Sequence, residues 1–161
     1  MTITIRALLL SDEPFLWEML YQALYVPEGQ PPFPREIIKA PEISRYVAGW
    51  GRAGDVGYLA LDGARPVGAV WLRLWSDVEH GYGYVDRDIP ELSVAILPEY
   101  RGQGIGGGLI RHLLAENAGH FCGVSLSVSA ENPARQLYQR LGFEVLGEEN
   151  SSIKMLWREK I

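Results

Sequence analysis

The stretch Pro98-Glu99-Tyr100-Arg101-Gly102-Gln103-Gly104-Ile105-Gly106-Gly107-Gly108-Leu109-Ile110 decides how this chain is read. A strand over Leu92 to Leu97 is expected to run into it, and an amphipathic helix over Gly104 to Gly119 to run out of it. Five of the seven residues from Gly102 to Gly108 are glycine. With side chains almost absent at the turn, the backbone can approach a bulky group, and its N–H groups point outward at the start of a helix. Free amides and the positive end of the helix dipole suit phosphate oxygens. Arg101 adds a positive charge at the mouth, so a pyrophosphate-bearing ligand is expected here.

Working outward, the chain of 161 residues, 47% hydrophobic and 22% charged, fits one soluble domain over residues 1–161. Its net charge of −5 argues against a nucleic-acid surface. No run approaches the roughly 20 apolar residues of a membrane span. The start, MTITIRALLLSDEP, has no basic leader or small-residue cleavage site and reads as a strand feeding a helix. The single cysteine, Cys122, excludes an internal disulfide framework. It fits a reducing cytoplasm and is expected to be a buried small apolar residue.

Thr2 to Arg6 is expected to be a strand, and Ser11 to cap a helix reaching about Tyr25. Pro27 to Pro34 is a proline-rich loop. A shorter helix is expected over Ile43 to Trp50, entered through Pro41-Glu42. Gly57 to Leu61 and Pro66 to Trp75 read as strands joined at Asp62-Gly63, a hairpin signal. Ser76 to Pro90 is a long polar connection with strand-like extensions expected around Tyr82 to Val85; such loops are often functional. Val124 to Val128 is a strand. Asn132-Pro133 reads as a helix cap with proline at the first helical position. That helix stops at Gly142, and Phe143 to Leu146 with Ser152 to Trp157 close the chain as strands.

Three phosphate-binding loops compete for the glycine stretch. The triphosphate loop needs Lys-Ser or Lys-Thr after its last glycine, and none follows. The dinucleotide fingerprint matches formally at Gly102, Gly104 and Gly107. It belongs early in a βαβ unit with an acid on the next strand, whereas Val124 to Val128 ends in serines. The third pattern, Arg/Gln-x-x-Gly-x-Gly/Ala, is met by Arg101-Gly102-Gln103-Gly104-Ile105-Gly106. Here the sequence resembles the GNAT superfamily of acyl-CoA-dependent N-acyltransferases. Asn132-Pro133-Ala134-Arg135-Gln136-Leu137-Tyr138, ending in Leu141-Gly142-Phe143, resembles that family's second motif at the family's spacing.

The resemblance implies an α/β (α+β) fold: a mixed, mostly antiparallel sheet of six to seven strands, flanked by about four helices. A bulge in the fourth strand is expected to splay a parallel pair and open a cofactor slot. It implies an N-acetyltransferase that moves an acetyl group from acetyl-CoA, its cosubstrate, to a primary amine acceptor in a ternary complex, without metal. The rival from another class is a non-catalytic coenzyme-A-binding sensor or scaffold. By the same resemblance, the amides of Gly102, Gln103, Gly104, Ile105 and Gly106, with Arg101, hold the pyrophosphate. The backbone of Val94, Ala95 and Ile96 pairs with the pantetheine arm, and Asn132 touches the cofactor or only caps its helix.

Tyr138 takes the role of acid to the departing thiolate, against the plainer reading of a core tyrosine. The acceptor amine must shed a proton, since a lysine-like amine has a pKa near 10.4. Glu91 is the first choice of base, with Asp86, Asp88, Glu79 or a water chain as alternatives. His80, His112 and His120 lack metal-ligand spacing, and His112 is expected on an exposed helix face. Trp17, Tyr21, Tyr25 and Phe33, faced by Tyr82 and Tyr84, are expected around the acceptor. No nucleic-acid or membrane partner is expected; a homodimer through the C-terminal strands or helix faces stays open.

Overall fold

A computed structural model describes residues 2–160. The chain runs β1 (Ile3–Ala7), α1 (Glu13–Ala23), α2 (Pro41–Ser44), β2 (Val56–Asp62), β3 (Arg65–Arg73), β4 (Glu91–Ile96), α3 (Ile105–Glu116), β5 (Gly123–Ser129), α4 (Ala134–Arg140), β6 (Glu144–Glu149) and β7 (Ser152–Arg158). The strands form one seven-stranded sheet in the order β1-β2-β3-β4-β5-β7-β6. All neighbours are antiparallel except β4 and β5, which are parallel.

The central strand β3 is apolar on both faces because both are covered. Val70 and Leu72 join Leu109, Leu113, Leu126 and Met155 in the core beneath α3. Ala69 and Trp71 join Leu16, Met19, Leu20, Val47 and Trp50 in a second core beneath α1. Leu109 is fully buried, so cutting it to alanine should cost about 2–5 kcal/mol. The hairpin at Asp62-Gly63 forms as expected: Gly63 sits at φ 59° and Asp62 pairs with Arg65. None of the described helices is long and apolar enough to cross a membrane.

Several local expectations are corrected. The first helix is preceded by a 3-10 turn over Leu10–Asp12, where Asp12 rather than Ser11 takes a backbone donor, the Leu9 N–H at 2.7 Å. Arg6 holds the same carboxylate. In place of a helix over Ile43 to Trp50 there is one turn, α2, followed by turns through Gly51. The reason is tertiary: Arg73 draws the carbonyls of Arg45 and Ala48 to its Nη1 at 2.8 and 2.7 Å, taking acceptors that a helix would use. Tyr82 to Val85 forms no strand, and the connection has only an isolated bridge, Asp86 to Ile89. Proline stands one residue earlier than expected, just outside α4, and Asn132 Oδ1 accepts the Ala134 N–H at 2.9 Å. Cys122 is exposed; Phe121 beside it packs against the core instead. His112 is half-buried, edge-on to the Tyr58 ring.

The parallel pair opens without the expected bulge. The β3–β4 register runs unbroken from Gly68 opposite Ile96 to Arg73 opposite Glu91. Beta-4 and β5 meet at Glu91 and Ser125 alone, with the Ser125 N–H on the Pro90 carbonyl at 2.9 Å. Each strand is fully laddered to its outer neighbour, so each follows that neighbour's twist and the two part beyond this point.

Candidate active site

The parted strands leave a groove of about 950 Å³. Its floor is Val94, Ala95 and Ile96 of β4; one wall is Arg101, Gly102, Gly104, Ile105 and Gly106, and the other includes Asn132 and Tyr138. Gly102 and Gly104 adopt φ values of 75° and 82°, a left-handed geometry that any Cβ would strain. Gly104 caps α3 and its carbonyl accepts the Gly108 N–H at 3.0 Å, the first bond of the helix. The amides ahead of it, from Ile105 to Gly107, have no partner inside the helix and stand at the groove wall.

Arg101 is exposed, yet its guanidinium is held. It donates to the Ile96 carbonyl at 3.1 Å, and to the carbonyl and Oε1 of Gln22 at 3.2 and 3.1 Å. Arg111 and Arg140 line the same groove; the sequence reading passed over both, although each lies within a motif-bearing helix or at its end. Gln103 does not line the groove, and its side chain turns back toward the Glu99 carbonyl.

The groove meets a smaller cavity of about 260 Å³ lined by Glu91, Leu92, Ser93 and Val94 of β4. Ala23, Leu24, Tyr25, Val94, Asn132 and Tyr138 line both, so Tyr138 stands at the junction. Its ring packs edge-on to Phe143 at 6.1 Å. Burial pushes the Tyr138 hydroxyl up to about 12, which keeps it protonated at neutral pH. Tyr138 is thus part of the core and also lines both cavities.

Glu91 lines the small cavity and is 3% exposed. Its Oε2 accepts the Tyr46 hydroxyl at 2.7 Å and its Oε1 the Trp75 indole N–H at 2.9 Å. Burial pushes its carboxyl from 4.5 up to about 7, against the opposing effect of these donors. A carboxyl poised there is matched to proton transfer near neutral pH. The other acids considered stand apart: Asp86 and Asp88 are exposed, and Glu79 pairs with Arg52 at 3.5 Å on the surface.

The aromatic residues divide. Tyr21, Tyr25 and Phe33 line the large groove, and Tyr25 also the small cavity. Tyr82 lines the small cavity and an outer groove of about 840 Å³, which Tyr84 also borders. Trp17 lines none of the three and donates to Glu13. Tyr46 and Trp75, which hold Glu91, were not singled out from sequence. No group of three or more His, Cys, Asp or Glu placed to hold a metal occurs among the described residues.

Comparison with known proteins agrees with this geometry. The Acetyltransferase (GNAT) domain family matches residues 53–145, more than half of the chain. The fold is similar to that of the PaiA N-acetyltransferase from Thermoplasma acidophilum in complex with coenzyme A. The TM-score is 0.70 at 19% identity, over 98% of this chain and 99% of that one. It is also similar to the ribosomal-protein-S18-alanine N-acetyltransferase from Escherichia coli, with a TM-score of 0.68 at 18% identity over 99% and 96% of the two chains. A third similar structure is yncA from Salmonella typhimurium with acetyl-CoA, with a TM-score of 0.67 at 18% identity over 100% and 96%. Curated protein sequences give no significant match. The chain belongs to the GNAT acetyltransferase family.

Proposed function

We propose that this protein transfers an acetyl group from acetyl-CoA to a primary amine by direct attack in a ternary complex, the whole chain acting as one catalytic domain. The observation that carries the reading is the junction at Tyr138. A long groove with helix-start amides and three arginines opens there onto a small cavity holding a buried carboxyl, Glu91. Similar structures with coenzyme A and acetyl-CoA bound support acetyl-CoA as the occupant of the groove.

In this reading the amides of Gly102 and of Gly104 to Gly106, with Arg101, hold the pyrophosphate. The pantetheine lies along Val94 to Ile96, and Asn132 contacts it while capping α4. The amine enters the small cavity and gives a proton to Glu91, directly or through water. Its nitrogen attacks the thioester carbon, the N–C bond forms and the C–S bond breaks. Tyr138 gives its proton to the departing sulfur, the acylated nitrogen sheds its second proton, which restores the Tyr138 hydroxyl by way of water, and Glu91 releases its proton to solvent. The products are the N-acetylated amine and coenzyme A. A buried base beside the junction favours turnover over a purely ligand-sensing role.

The test has two arms. Coenzyme A or acetyl-CoA at 100 times its Kd should stabilise the fold by about 2.7 kcal/mol, read as a rise in melting temperature. Thiol release with acetyl-CoA and a panel of amines should then identify the acceptor. No thermal shift at millimolar acyl-CoA would refute the groove's assignment; a shift with no thiol release across the panel would favour the sensor.

A further inference from the structure

The connection between β3 and β4 does more than join two strands. Its segment Gly81-Tyr82-Gly83 lies directly over the Glu91 carboxyl. A Cβ on Gly81 would collide with the Tyr46 hydroxyl and with Glu91 Oε1. A Cβ on Gly83 would stand 2.8 Å from both Glu91 Cδ and the Leu126 carbonyl carbon. Both positions are buried, and neither has the positive φ that would otherwise explain a glycine. These glycines are there for close approach.

Tyr46 ties this strap to the carboxyl. Its hydroxyl donates to Glu91 Oε2 and accepts the Tyr82 N–H, each at 2.7 Å. The Tyr46 backbone is itself held. Trp71 Nε1 donates to its carbonyl at 3.0 Å, and Arg73 clasps the carbonyls of Arg45 and Ala48 on either side. Arg73 is fixed in turn by Asp55 at 2.8 Å, a pair with side chains only 1% and 2% exposed. Asp55 also accepts the Gly51 and Arg52 amides. A continuous series of buried hydrogen bonds therefore runs from β3 to Glu91.

We propose that Tyr46 and the Gly81–Gly83 strap are the positioning device for Glu91, fixing its carboxyl at the acceptor cavity and coupling it to Tyr82 on the cavity wall. This rests on Glu91 being the base of the reaction above. The groups facing Glu91 from the elements around it are Tyr46 and Trp75, Tyr82 and the Gly83 amide of the strap, Lys154 of β7, and Tyr138 across the cavity. Of these Lys154 is the one basic side chain, and its Nζ donates to the Tyr84 carbonyl at 2.6 Å.

The test follows the Glu91 carboxyl by NMR in protein labelled with 13C at glutamate Cδ, its resonance assigned by loss in Glu91→Gln. Tyr46→Phe removes one donor to the charged form and frees the strap, so the midpoint should rise by about one pH unit. The acid limb of kcat/KM should move with it for whichever amine the panel yields. A role confined to packing would lower the melting temperature and leave the midpoint in place. An unmoved midpoint in a folded Tyr46→Phe overturns the proposal.

Should that variant not fold, amide exchange in the wild type decides. The Tyr82 N–H should be protected by about 100-fold or more against an exposed amide, and an unprotected one overturns the proposal. Glu91→Gln with full turnover removes Glu91 as base but leaves the midpoint result standing. Glu91→Gln without turnover, together with an unmoved midpoint, overturns the positioning alone.

Discussion

Glu91→Gln should remove the loss of stability that the wild type suffers as pH rises past neutrality, along with its activity, and the size of the effect follows from where Glu91 sits. The carboxyl rises from 4.5 to about 7 on folding. Between those values the folded protein keeps a proton that the unfolded chain has released. The stability linked to this group is fully present below the unfolded value and is lost as pH rises through about 7. The gap is roughly two and a half pH units at about 1.4 kcal/mol each, which makes about 3 kcal/mol. Glutamine keeps the shape and never ionises. Its amide nitrogen also faces a donor, Tyr46 or Trp75, at a constant cost of about 1–3 kcal/mol. That offset is the same at every pH and cancels when two pH values are compared. Denaturant unfolding of both proteins at about pH 4 and about pH 8.5 should show the mutant gaining about 3 kcal/mol on the wild type between them. Other carboxylates titrate alike in both proteins and drop out of the difference. A difference constant to within about 0.5 kcal/mol would refute the buried, proton-holding state of Glu91 and the base role built on it. In turnover, the wild type should lose activity as pH falls below about 7, and Glu91→Gln should stay inactive on both sides of that pH.

Tyr138→Phe keeps the ring packed on Phe143 and removes only the hydroxyl proposed as the acid, so turnover should fall about 100-fold or more with the coenzyme A Kd unchanged; unchanged turnover removes Tyr138 from the mechanism. Gly104→Ala forces a side chain onto φ 82° at the start of α3, at about 1–2 kcal/mol. Calorimetry should show coenzyme A binding weakened by about tenfold or more, and unchanged affinity would refute the amide cradle. Arg73→Met strands the Asp55 carboxylate with its side chain 2% exposed. The loss on denaturant unfolding should be about 3–5 kcal/mol, and a loss under about 1 kcal/mol would refute the buried clasp.

The glycine stretch and the Asn132 to Phe143 motif were legible because each is local. A left-handed Gly104 at a helix start and an Asn132 capping α4 are set by residues a few positions apart. The β2–β3 hairpin was legible for the same reason, through the Asp62-Gly63 turn. Glu91 was legible as a candidate only through the resemblance; nothing in its neighbours distinguishes a buried carboxyl from a solvated one. Residues 43–50 misled because they carry helical spacing, and the competing donor to their carbonyls, Arg73, lies 25 or more residues away. Tyr82 to Val85 misled because alternating glycine and tyrosine looks extended. Those glycines answer to Glu91 and Tyr46, which reach them only once the sheet has formed.

The sequence by itself determined the strands and helices and the glycine loop between β4 and α3, since short-range backbone preferences and apolar spacing specify these, while the resemblance of its two motifs implied the family, the mixed sheet and Tyr138 as a candidate. The tertiary structure alone decided that β4 and β5 part without a bulge, that groove and cavity meet at Tyr138, and that Glu91 is enclosed by Tyr46, Trp75 and a glycine strap. Those properties depend on burial and on hydrogen bonds between residues 16 to 45 positions apart, and so exist only when the chain has closed on itself.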